Sequence, residues 1–415
     1  MYNILMQLTT HKHKVLIVGG GFGGVKAAQI LGRDPKFSVQ MIDPKSFMEY
    51  HAAVYRLATG RSPGEVCVPY SALLKGTSVE HCRATIVDID QSKKRVTDSS
   101  GGVYSYDTLI LATGCEAAFF GIVGIEEHAF GIDGVQNALK LKRHIHDAFE
   151  HAKNASDKSE QVKALHIVVV GGGASGVELA GEFASYTKAL ARQHGVDPSL
   201  VTVDLIEAMP RVLPGLPESL SKAAEGRLRS LGVNMYLNRS VIREESDSLF
   251  LKDMEITTKT VVWTAGLKAN RLATTIKGAT LDKRGRCMVD GYLRMQGVND
   301  IYAIGDTAST THSGMAQTAL SDARYVCSHL QAILKGKEPK LYTQSAPAYA
   351  VPVGPLYAVV LYHGIRATGF LGWVLRRAAD LRAFLNLMPL QHAITAFLAG
   401  SQKVESCDIC TKYSR

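Results

Sequence analysis

The chain has 415 residues, more than one hydrophobic core normally serves, so two or three domains are expected. Hydrophobic residues make up 46% and charged residues 20%, a globular composition that excludes a low-complexity chain. The net charge of +9 suits an anionic membrane surface, but no basic run is long enough to indicate nucleic acid. Seven scattered cysteines indicate reduced thiols, and the first ten residues, which lack a signal-peptide pattern, are expected to be a disordered or strand-extending leader.

Two glycine turns organise the predicted fold. The apolar runs Val15–Val18 and Ile167–Val170 are each followed by G-x-G-x-x-G and then by a helical pattern. This is the dinucleotide fingerprint, in which glycines make the turn, let the backbone approach a pyrophosphate, and let helix pack on strand. Two copies predict two dinucleotides, most simply a flavin and a nicotinamide. The predicted contacts are Gly19, Gly21, Phe22, Gly23 and Gly24 in the first turn and Gly171, Gly173 and Gly176 in the second.

An acidic residue ends the strand that follows each fingerprint. Asp43 lies 19 residues after Gly24, close to the spacing at which a carboxylate holds a ribose hydroxyl. Without that role, Asp43 would simply begin a turn with Pro44. Glu207 lies 31 residues after Gly176, at the end of the predicted strand Val201–Ile206. A carboxylate there repels a 2′-phosphate, so NADH is favoured over NADPH, although the nearby Arg211 could accept a phosphate.

The remaining elements complete an α/β pattern. The strands Asp107–Ala112 and Val298–Ile304 end in Thr113-Gly114 and Gly305-Asp306. The helix Met315–Leu334 begins at Ala316-Gln317, and its positive dipole end is a candidate for the edge of a flavin. Residues 132–153 are predicted to form a long polar helix, and residues 154–163 are predicted to be a solvated loop.

The C-terminal region has a different pattern. Phe370–Leu385 reads as an amphipathic helix whose apolar stripe contains Phe370, Val374, Ala378, Leu381 and Leu385, with Arg376, Arg377, Asp380 and Arg382 mainly elsewhere. Pro389 can begin a second helix. Neither stretch is long or apolar enough to span a bilayer, but basic, aromatic, amphipathic helices fit an interfacial anchor. The alternative is packing on the protein's own core or on a second subunit.

Several runs together resemble the type II NADH:quinone oxidoreductases, members of the two-dinucleotide-binding flavoprotein superfamily. These runs are Tyr55–Gly60, Ala112–Gly114, Phe119–Gly124, Val177–Glu182, Val262–Gly266, Ile301–Asp306 and Ala316–Ala319. The chain departs from the family pattern at three positions: Ser321 replaces the second Gln of the AQxAxQ quinone motif, Met315 replaces a preceding proline, and Val123 replaces the proline of a Gly-Ile-Pro-Gly run.

The resemblance implies two Rossmann-type domains and a membrane-associated C-terminal region. FAD would bind residues 14–124 and 281–340, NADH would bind residues 125–280, and residues 341–415 would anchor the protein. The implied activity is hydride transfer from NADH to FAD, then transfer of two electrons to a membrane quinone, without proton pumping or a metal. The implied setting is a peripheral homodimer on the cytoplasmic face of the cell membrane, at an anionic bilayer surface.

The resemblance also implies roles for individual residues. Glu178 would lie near the nicotinamide and the flavin, where it orients substrate or mediates protonation; by itself it reads as a first-turn Glu that complements the helix dipole. Gln317 would contact quinone or flavin, whereas by itself it reads as a helix N-terminal residue. Thr113, Gly114, Gly266, Asp306 and Ala316 would complete the cofactor contacts.

Other functions of the same fold remain open. A disulfide reductase needs two close redox cysteines, but Cys67 and Cys82 are 15 residues apart. A sulfide:quinone oxidoreductase needs a cysteine pair at the flavin, and Cys115 has no evident partner in the C-terminal region. Cys407 and Cys410 read as tail thiols, because two ligands are too few for a zinc site. An NADH-binding redox sensor with slow turnover is a further alternative.

Overall fold

A computed structural model describes residues 12–401 of the chain, so the N-terminal leader and the Cys407/Cys410 pair lie outside the described residues. The described residues divide into two compact units. The first unit contains residues 12–48, 69–115 and 268–347, and the second contains residues 49–68, 116–267 and 348–401. The sequence-based division assigns the chain by what each part binds: FAD for residues 14–124 with 281–340, NADH for 125–280, and the membrane for 341–415. A division by ligand is a different criterion from a division by packing, so it stays a prediction.

The strands, in chain order, are β1 His13–Val18, β2 Phe37–Ile42, β3 Phe47–Glu49, β4 Cys67–Pro69, β5 Glu80–Cys82, β6 Ile86–Asp90, β7 Arg95–Asp98, β8 Val103–Ser105, β9 Thr108–Leu111, β10 Cys115–Ala117, β11 Phe130–Gly131, β12 His166–Val170, β13 Thr202–Glu207, β14 Val233–Leu237, β15 Val241–Glu245, β16 Ser248–Leu251, β17 Glu255–Thr257, β18 Thr260–Trp263, β19 Leu267–Ala269, β20 Cys287–Met288, β21 Ile301–Ala303, β22 Ala308–Ser309, β23 Tyr349–Pro352, β24 Ala358–Tyr362 and β25 Ile365–Ala367. The α-helices are α1 Phe22–Leu31, α2 Tyr55–Ala58, α3 Tyr70–Leu73, α4 Ile125–His128, α5 Val135–Asn154, α6 Lys158–Ala164, α7 Ala174–His194, α8 Glu218–Leu231, α9 Ala316–Ile333, α10 Gly369–Leu387 and α11 Leu390–Ala399.

The first unit is built on a five-stranded parallel sheet in the order β21-β9-β1-β2-β5. Its strands are almost continuously apolar, as expected where both faces of a parallel sheet are covered. An antiparallel sheet of β6, β7 and β8 adds Ile89 and Val96 to the same core as Leu16 of β1. Because the five strands are parallel, the residues that follow them meet at one edge of the sheet.

The second unit repeats this plan with a parallel sheet in the order β11-β18-β12-β13-β14. The strand before the second glycine turn, β12, is central, and α7 packs on β13 with Phe183 and Leu190 fully buried. An antiparallel sheet of β15, β16 and β17 contributes Leu249, Leu251 and Ile256 to a second apolar cluster, which also contains Val168 of β12. The α/β class with two Rossmann-type units is therefore confirmed.

The described C-terminal residues belong to the second unit. The antiparallel sheet of β23, β24 and β25 adds Val351, Val353 and Val359 to the core that contains Phe183. Helix α10 packs on β24, where Gly372 lies so close to the carbonyl oxygen of Ala358 that a Cβ atom would overlap it. In residues 12–401, no helix is long and apolar enough to cross a membrane.

One predicted loop is wrong. Residues 154–163 contain α6, which begins at Lys158 and follows the predicted polar helix after a short break. The Asp157 carboxylate accepts a hydrogen bond from the Ser159 backbone N–H at 2.9 Å and caps the helix. An acidic N-cap satisfies one free N–H group of the first turn, so a short, charged segment can begin a helix.

Candidate dinucleotide sites

The first glycine turn joins β1 to α1 and faces the carboxyl edge of its sheet. A Cβ atom on Gly24 would overlap the carbonyl oxygen of Gly19, and one on Gly19 would overlap that of Ala112. These contacts require glycine at both ends of the turn. Gly21, the N-cap of α1, has no atom of the protein within 4 Å of the place where a Cβ would stand. A pyrophosphate can therefore approach the N–H groups at the positive end of α1.

Asp43 is held against this turn. Its Oδ2 accepts a hydrogen bond from the Gly20 N–H at 2.7 Å, and its Oδ1 accepts one from the Lys45 N–H at 2.9 Å. Burial raises the pKa of Asp43, and the two N–H donors oppose that rise. The Tyr70 hydroxyl donates to the Gly20 carbonyl at 3.0 Å, so a phenol ring walls one side of the turn.

The ends of β9 and β21 lie at the same edge. The Gly114 N–H donates to Thr307 Oγ1 at 2.9 Å, which joins the two strand ends. Asp306 Oδ1 accepts from the Gly314 N–H at 2.8 Å, and the Cys115 thiol donates to Asp306 Oδ2 at 3.2 Å. The predicted contacts Thr113, Gly114 and Asp306 are thus close neighbours.

Asp322 is a site residue that the sequence analysis missed. It is buried on α9, and its Oδ2 accepts from the Gly305 N–H at 2.9 Å. Its Oδ1 accepts from the Tyr342 hydroxyl at 2.5 Å. Burial raises the pKa of Asp322, while these two donors stabilise its charged form. Asp322 therefore fixes α9 against the strand end, which positions Ala316 and the exposed Gln317 at the start of the helix. The available signal was an acidic residue in the second turn of a predicted helix, on a face that is otherwise mainly apolar.

The second glycine turn has the same geometry. A Cβ atom on Gly176 would overlap the carbonyl oxygen of Gly171, and the space beside Gly173 is open. Glu207 Oε2 accepts from the Gly172 N–H at 2.5 Å, and its Oε1 accepts from the Met209 N–H at 2.7 Å. In the first unit Asp43 likewise accepts from the N–H of the second glycine of its turn and from the N–H two residues after itself, so Glu207 is the counterpart of Asp43.

The Arg211 side chain hydrogen-bonds its own loop and the start of the following helix α8. Its guanidinium donates to the carbonyl oxygens of Pro214 and Leu216, at 2.7 and 2.8 Å, and to Ser221 Oγ at 2.7 Å. These bonds would have to break before the side chain could receive a 2′-phosphate. The geometry therefore favours the predicted preference for NADH.

Gly266 follows β18 at the same edge. The Thr264 hydroxyl donates to the Val170 carbonyl at 2.8 Å and lies within 3.2 Å of the Gly171 carbonyl, which ties this segment to the glycine turn. Gly266 has a φ of +90°, and the ring of Phe120 covers it so closely that a Cβ would overlap the ring. Both features require glycine at this position.

Glu178 lies in the second turn of α7, where it is buried, so the reading of it as a first-turn Glu that complements the helix dipole is wrong. Burial raises the pKa of Glu178 to about 7, against the charges of Arg376 and Arg56, which lower it. A carboxyl group with such a pKa changes protonation near neutral pH, as an acid–base group must. The neighbouring Glu182 and Asp380 add to the rise.

A buried ion cluster joins the C-terminal helix α10 to the segment 56–65 of the same unit. Arg56 Nη1 lies 2.6 Å from Glu65 Oε1, and Arg376 Nη2 lies 3.2 Å from Asp380 Oδ1. Arg377 lies 3.6 Å from Glu65 and donates to the Phe397 carbonyl of α11 at 2.9 Å. Removing one partner would leave buried charge uncompensated, so the cluster fixes the position of α10.

The two C-terminal helices turn their apolar side chains outward. The exposed residues are Phe370, Leu371, Val374, Leu375, Leu385, Leu390, Ile394 and Leu398. Apart from the half-buried Leu381, the predicted stripe therefore lies on the exposed face of α10. Arg376 and Arg377, which fall away from that stripe, are engaged within the protein rather than presented to anionic lipid. The hydrophobic pattern revealed the stripe. Of the ion partners, Asp380 lies on the same helix, whereas Glu65 lies more than 300 residues earlier and gives no local signal.

Two glycine-turn sites, each at the carboxyl edge of a parallel sheet and each with its own carboxylate, define a flavoprotein that binds two dinucleotides. The family described as pyridine nucleotide-disulphide oxidoreductase matches residues 13–323. The Type II NADH:quinone oxidoreductase Ndh of Mycobacterium tuberculosis is 32% identical over 386 residues, which cover 88% of this chain and 82% of the relative. The chain therefore belongs to the pyridine nucleotide-disulphide oxidoreductases and, within them, to the type II NADH:quinone oxidoreductases.

Two solved structures share the fold. NDH2 from Plasmodium falciparum, in complex with NADH, superposes with a TM-score of 0.85 at 19% identity, covering 97% of this chain and 98% of that one. The sulfide:quinone oxidoreductase of Aquifex aeolicus superposes with a TM-score of 0.76 at 18% identity, covering 94% and 93%. At these identities the likeness establishes the fold alone, so it does not favour sulfide as a substrate.

Proposed function

We propose that this chain oxidises NADH and reduces a membrane quinone, with FAD as the resident cofactor and without proton pumping. The observation that carries the proposal is the repeated arrangement of a glycine turn with an open central glycine and a carboxylate tied to the turn. The family membership supports FAD and NADH as the two ligands of these sites. No metal enters the proposal.

The first unit fits FAD. The N–H groups after Gly21 would hold the pyrophosphate, and Asp43 would accept from a ribose hydroxyl. Thr113, Gly114 and Asp306 would line the strand ends, and Ala316 and Gln317 would stand at the dipole end of α9. When bound, FAD supplies a two-electron acceptor for hydride and a donor to quinone.

The second unit fits NADH. Gly171, Gly173 and Gly176 leave the N–H groups of α7 open to the pyrophosphate, and Glu207 would hold the adenosine ribose. Glu178 is proposed to hold or release a proton at its carboxyl oxygen during turnover, since its pKa of about 7 lets it do either near neutral pH. Gln317 is proposed to contact the quinone headgroup.

The exposed apolar face of α10 and α11 is proposed to lie on an anionic bilayer, from which quinone arrives. Arg376 and Arg377 are paired within the protein, so the exposed Arg382 and the net charge of +9 are what favour an anionic surface. Eight large apolar side chains on these two helices form a surface that water does not favour, and neither helix is long and apolar enough to span a membrane. The cytoplasmic face is proposed because NADH is available there. A homodimer is proposed from the resemblance, and light scattering in detergent would test it.

Spectroscopy of the purified protein tests the central proposal. We expect a bound-flavin absorbance spectrum that NADH bleaches under anaerobic conditions and that a short-chain quinone restores. Bleaching by NADH without restoration by quinone would instead support a redox sensor. Bleaching of the flavin by sulfide rather than by NADH would support the sulfide alternative.

Vesicle binding tests the membrane proposal. Residues 348–401 share a core with the second unit, so truncation would damage the fold and point substitutions are preferable. We expect Leu371→Ser combined with Leu390→Ser to reduce co-sedimentation with anionic vesicles while flavin content is retained. Val87→Ser with Val103→Ser, which removes exposed apolar residues from the first unit, is the matched control. Equal losses in both pairs would contradict the assignment.

A further inference from the structure

The turn between β10 and α4 has an unusual residue at its centre. The Ile122 N–H donates to the Phe119 carbonyl at 3.0 Å, which closes a four-residue turn. The two central residues, Phe120 and Gly121, have φ angles of +52° and +70°. Positive φ at both central positions is the pattern of a type I′ turn, which strongly favours Asn, Asp and Gly. A bulky aromatic residue there is strained, so the turn itself gives no reason for Phe120.

Core packing gives no reason either. The Phe120 side chain is 69% exposed, although its ring covers Gly266 and lies 6.4 Å, centroid to centroid, from the buried Trp263. An apolar ring in this position costs conformational energy and stays in contact with water. Strain of this kind persists where a function depends on it.

The ring stands on one particular side of the second glycine turn. Strands β12 and β18 are neighbours, with Val170 paired to Trp263, so Gly171 and Gly266 follow adjacent strand ends. Strand β13, which carries Glu207, lies on the opposite side of β12. A dinucleotide held at Glu207 by its adenosine ribose crosses the glycine turn and continues toward the end of β18. Phe120 is therefore beside the other half of the ligand.

We propose that Phe120 is an NADH-binding residue whose exposed ring contacts the nicotinamide half of the dinucleotide. The inference rests on the proposed assignment of the second glycine turn to NADH. Stacking of a flat heterocycle on an aromatic side chain removes apolar surface of both from water and needs no hydrogen-bond partner. Gly266 is then glycine so that the ring can lie close to the sheet edge.

Calorimetric titration of the flavin-loaded protein with NAD⁺ tests this without turnover. Phe120→Asn suits the positive φ and removes the ring, so we expect NAD⁺ affinity to fall about tenfold. The thermal midpoint should not fall, because Asn is favoured in this turn. Phe120→Tyr keeps the ring and should stay within about twofold of the unmodified protein. Val123→Ala, at an equally exposed residue of the same segment, is the control and should leave affinity unchanged.

The outcomes separate this inference from the function on which it rests. Unchanged NAD⁺ affinity in Phe120→Asn and Phe120→Gly would overturn the inference, leaving Phe120 as a cover for Gly266. An unmodified protein that retains flavin but binds no NAD⁺ would overturn the proposed function, and this inference with it. If Phe120→Asn unfolds, Phe120→Gly, which also accepts positive φ, supplies the same comparison.

Discussion

The two glycine turns share a backbone design but differ in their surroundings. In the first turn, the Tyr70 ring stands where a Cβ of Gly20 would lie, and the Tyr70 hydroxyl bonds the Gly20 carbonyl. In the second turn, the atoms nearest to the corresponding position at Gly172 belong to the Glu207 side chain. Asp43 and Glu207 are both half-buried, so the difference between the two turns lies in the Tyr70 ring. A walled turn suits a cofactor that remains bound, and an open turn suits a substrate that exchanges in every cycle.

The residues after the neighbouring strand differ in the same sense. Gly114 of the first unit has open space around its Cβ position, while Gly266 of the second is covered by the Phe120 ring. Both glycines have positive φ. Beside its glycine turn the second unit thus has the exposed Phe120 ring, whereas the first unit has the buried Tyr70 ring. This contrast between resident and exchanging ligand can be tested by changing matched residues in the two units.

The largest expected effect is from alanine at the last glycine of each turn. Gly24→Ala and Gly176→Ala would each place a Cβ against a carbonyl oxygen, at a cost of about 1–3 kcal/mol and with displacement of the helix start. We expect Gly24→Ala to abolish flavin binding and Gly176→Ala to keep flavin but abolish its reduction by NADH. Absorbance spectra before and after NADH measure both.

Alanine at the open central glycines is the matched control. Gly21→Ala and Gly173→Ala have room for the added methyl group in the protein, so folding should be retained. The methyl group would nevertheless occupy the path of the pyrophosphate, so each variant should lose its own ligand only. If Gly21→Ala retained flavin with unchanged affinity, the first turn would not be the FAD site.

The next effect concerns Glu178, which has no equivalent in the first turn. Its pKa of about 7, against 4.5 in an unstructured chain, means that the folded state binds its proton more tightly. The associated stability is present below pH 4.5 and is lost as the pH rises through 7, about 3 kcal/mol in all. Glu178→Gln should remove this loss, so the variant should gain stability relative to the unmodified protein between pH 5 and pH 8, roughly the window of the shift.

Urea unfolding across this pH range measures the difference between the two proteins. Glu178→Gln should also retain flavin but slow quinone-dependent NADH oxidation, and the pH dependence of the rate near 7 should disappear. Glu225→Gln, at a half-buried residue of α8 in the same unit, is the control, because Glu225 is not among the charges that shift the pKa of Glu178. A stability difference that does not vary with pH would show that Glu178 is ionised throughout.

The sequence was sufficient for much of this comparison. Both glycine turns, Asp43 and Glu207 were predictable because local spacing and strand–turn–helix order determine them. Asp322 and the Arg56–Glu65–Asp380 cluster were not, because no regular local spacing links these residues to their partners. Asp322 bonds Gly305 and Tyr342 across a loop and a helix, and Asp380 reaches Arg56 only in the folded chain. Phe120 was visible in the family-like run, but its strain and exposure are properties of the folded backbone.

A smaller effect is expected at the ribose carboxylate of the exchanging site. Glu207→Ala removes an acceptor for the ribose and the anchor of the Gly172 N–H, so flavin reduction by NADH should weaken by roughly tenfold. Reduction by NADPH should weaken less, because the repulsion of a 2′-phosphate disappears as well. Stopped-flow bleaching with both donors measures the ratio. Equal rates for NADH and NADPH in the unmodified protein would contradict the role given to Glu207.

The smallest effect is expected at the start of α9, where the quinone motif departs from the family pattern. Gln317 is exposed at the second residue of the helix, and Ser321 follows one turn later on the same face. The Ser321 side chain hydrogen-bonds Tyr342, whose hydroxyl bonds the Asp322 carboxylate. Ser321, which stands where the family has Gln, therefore belongs to the hydrogen-bond network through which Asp322 holds Gly305 at the end of β21.

Gln317→Ala should leave reduction by NADH unchanged and slow reoxidation by quinone a few-fold, because one polar contact of about 1 kcal/mol is lost. Ser321→Gln should alter the apparent affinity for quinone by a similar factor, and flavin content reports any damage through Tyr342. Ser321→Ala removes the hydroxyl without lengthening the side chain. It therefore separates the loss of the hydrogen bond to Tyr342 from the effect of a longer polar side chain. The half-reactions are measured separately by anaerobic mixing with NADH and then with a short-chain quinone. If the variants changed only the NADH half-reaction, quinone would bind away from the start of α9.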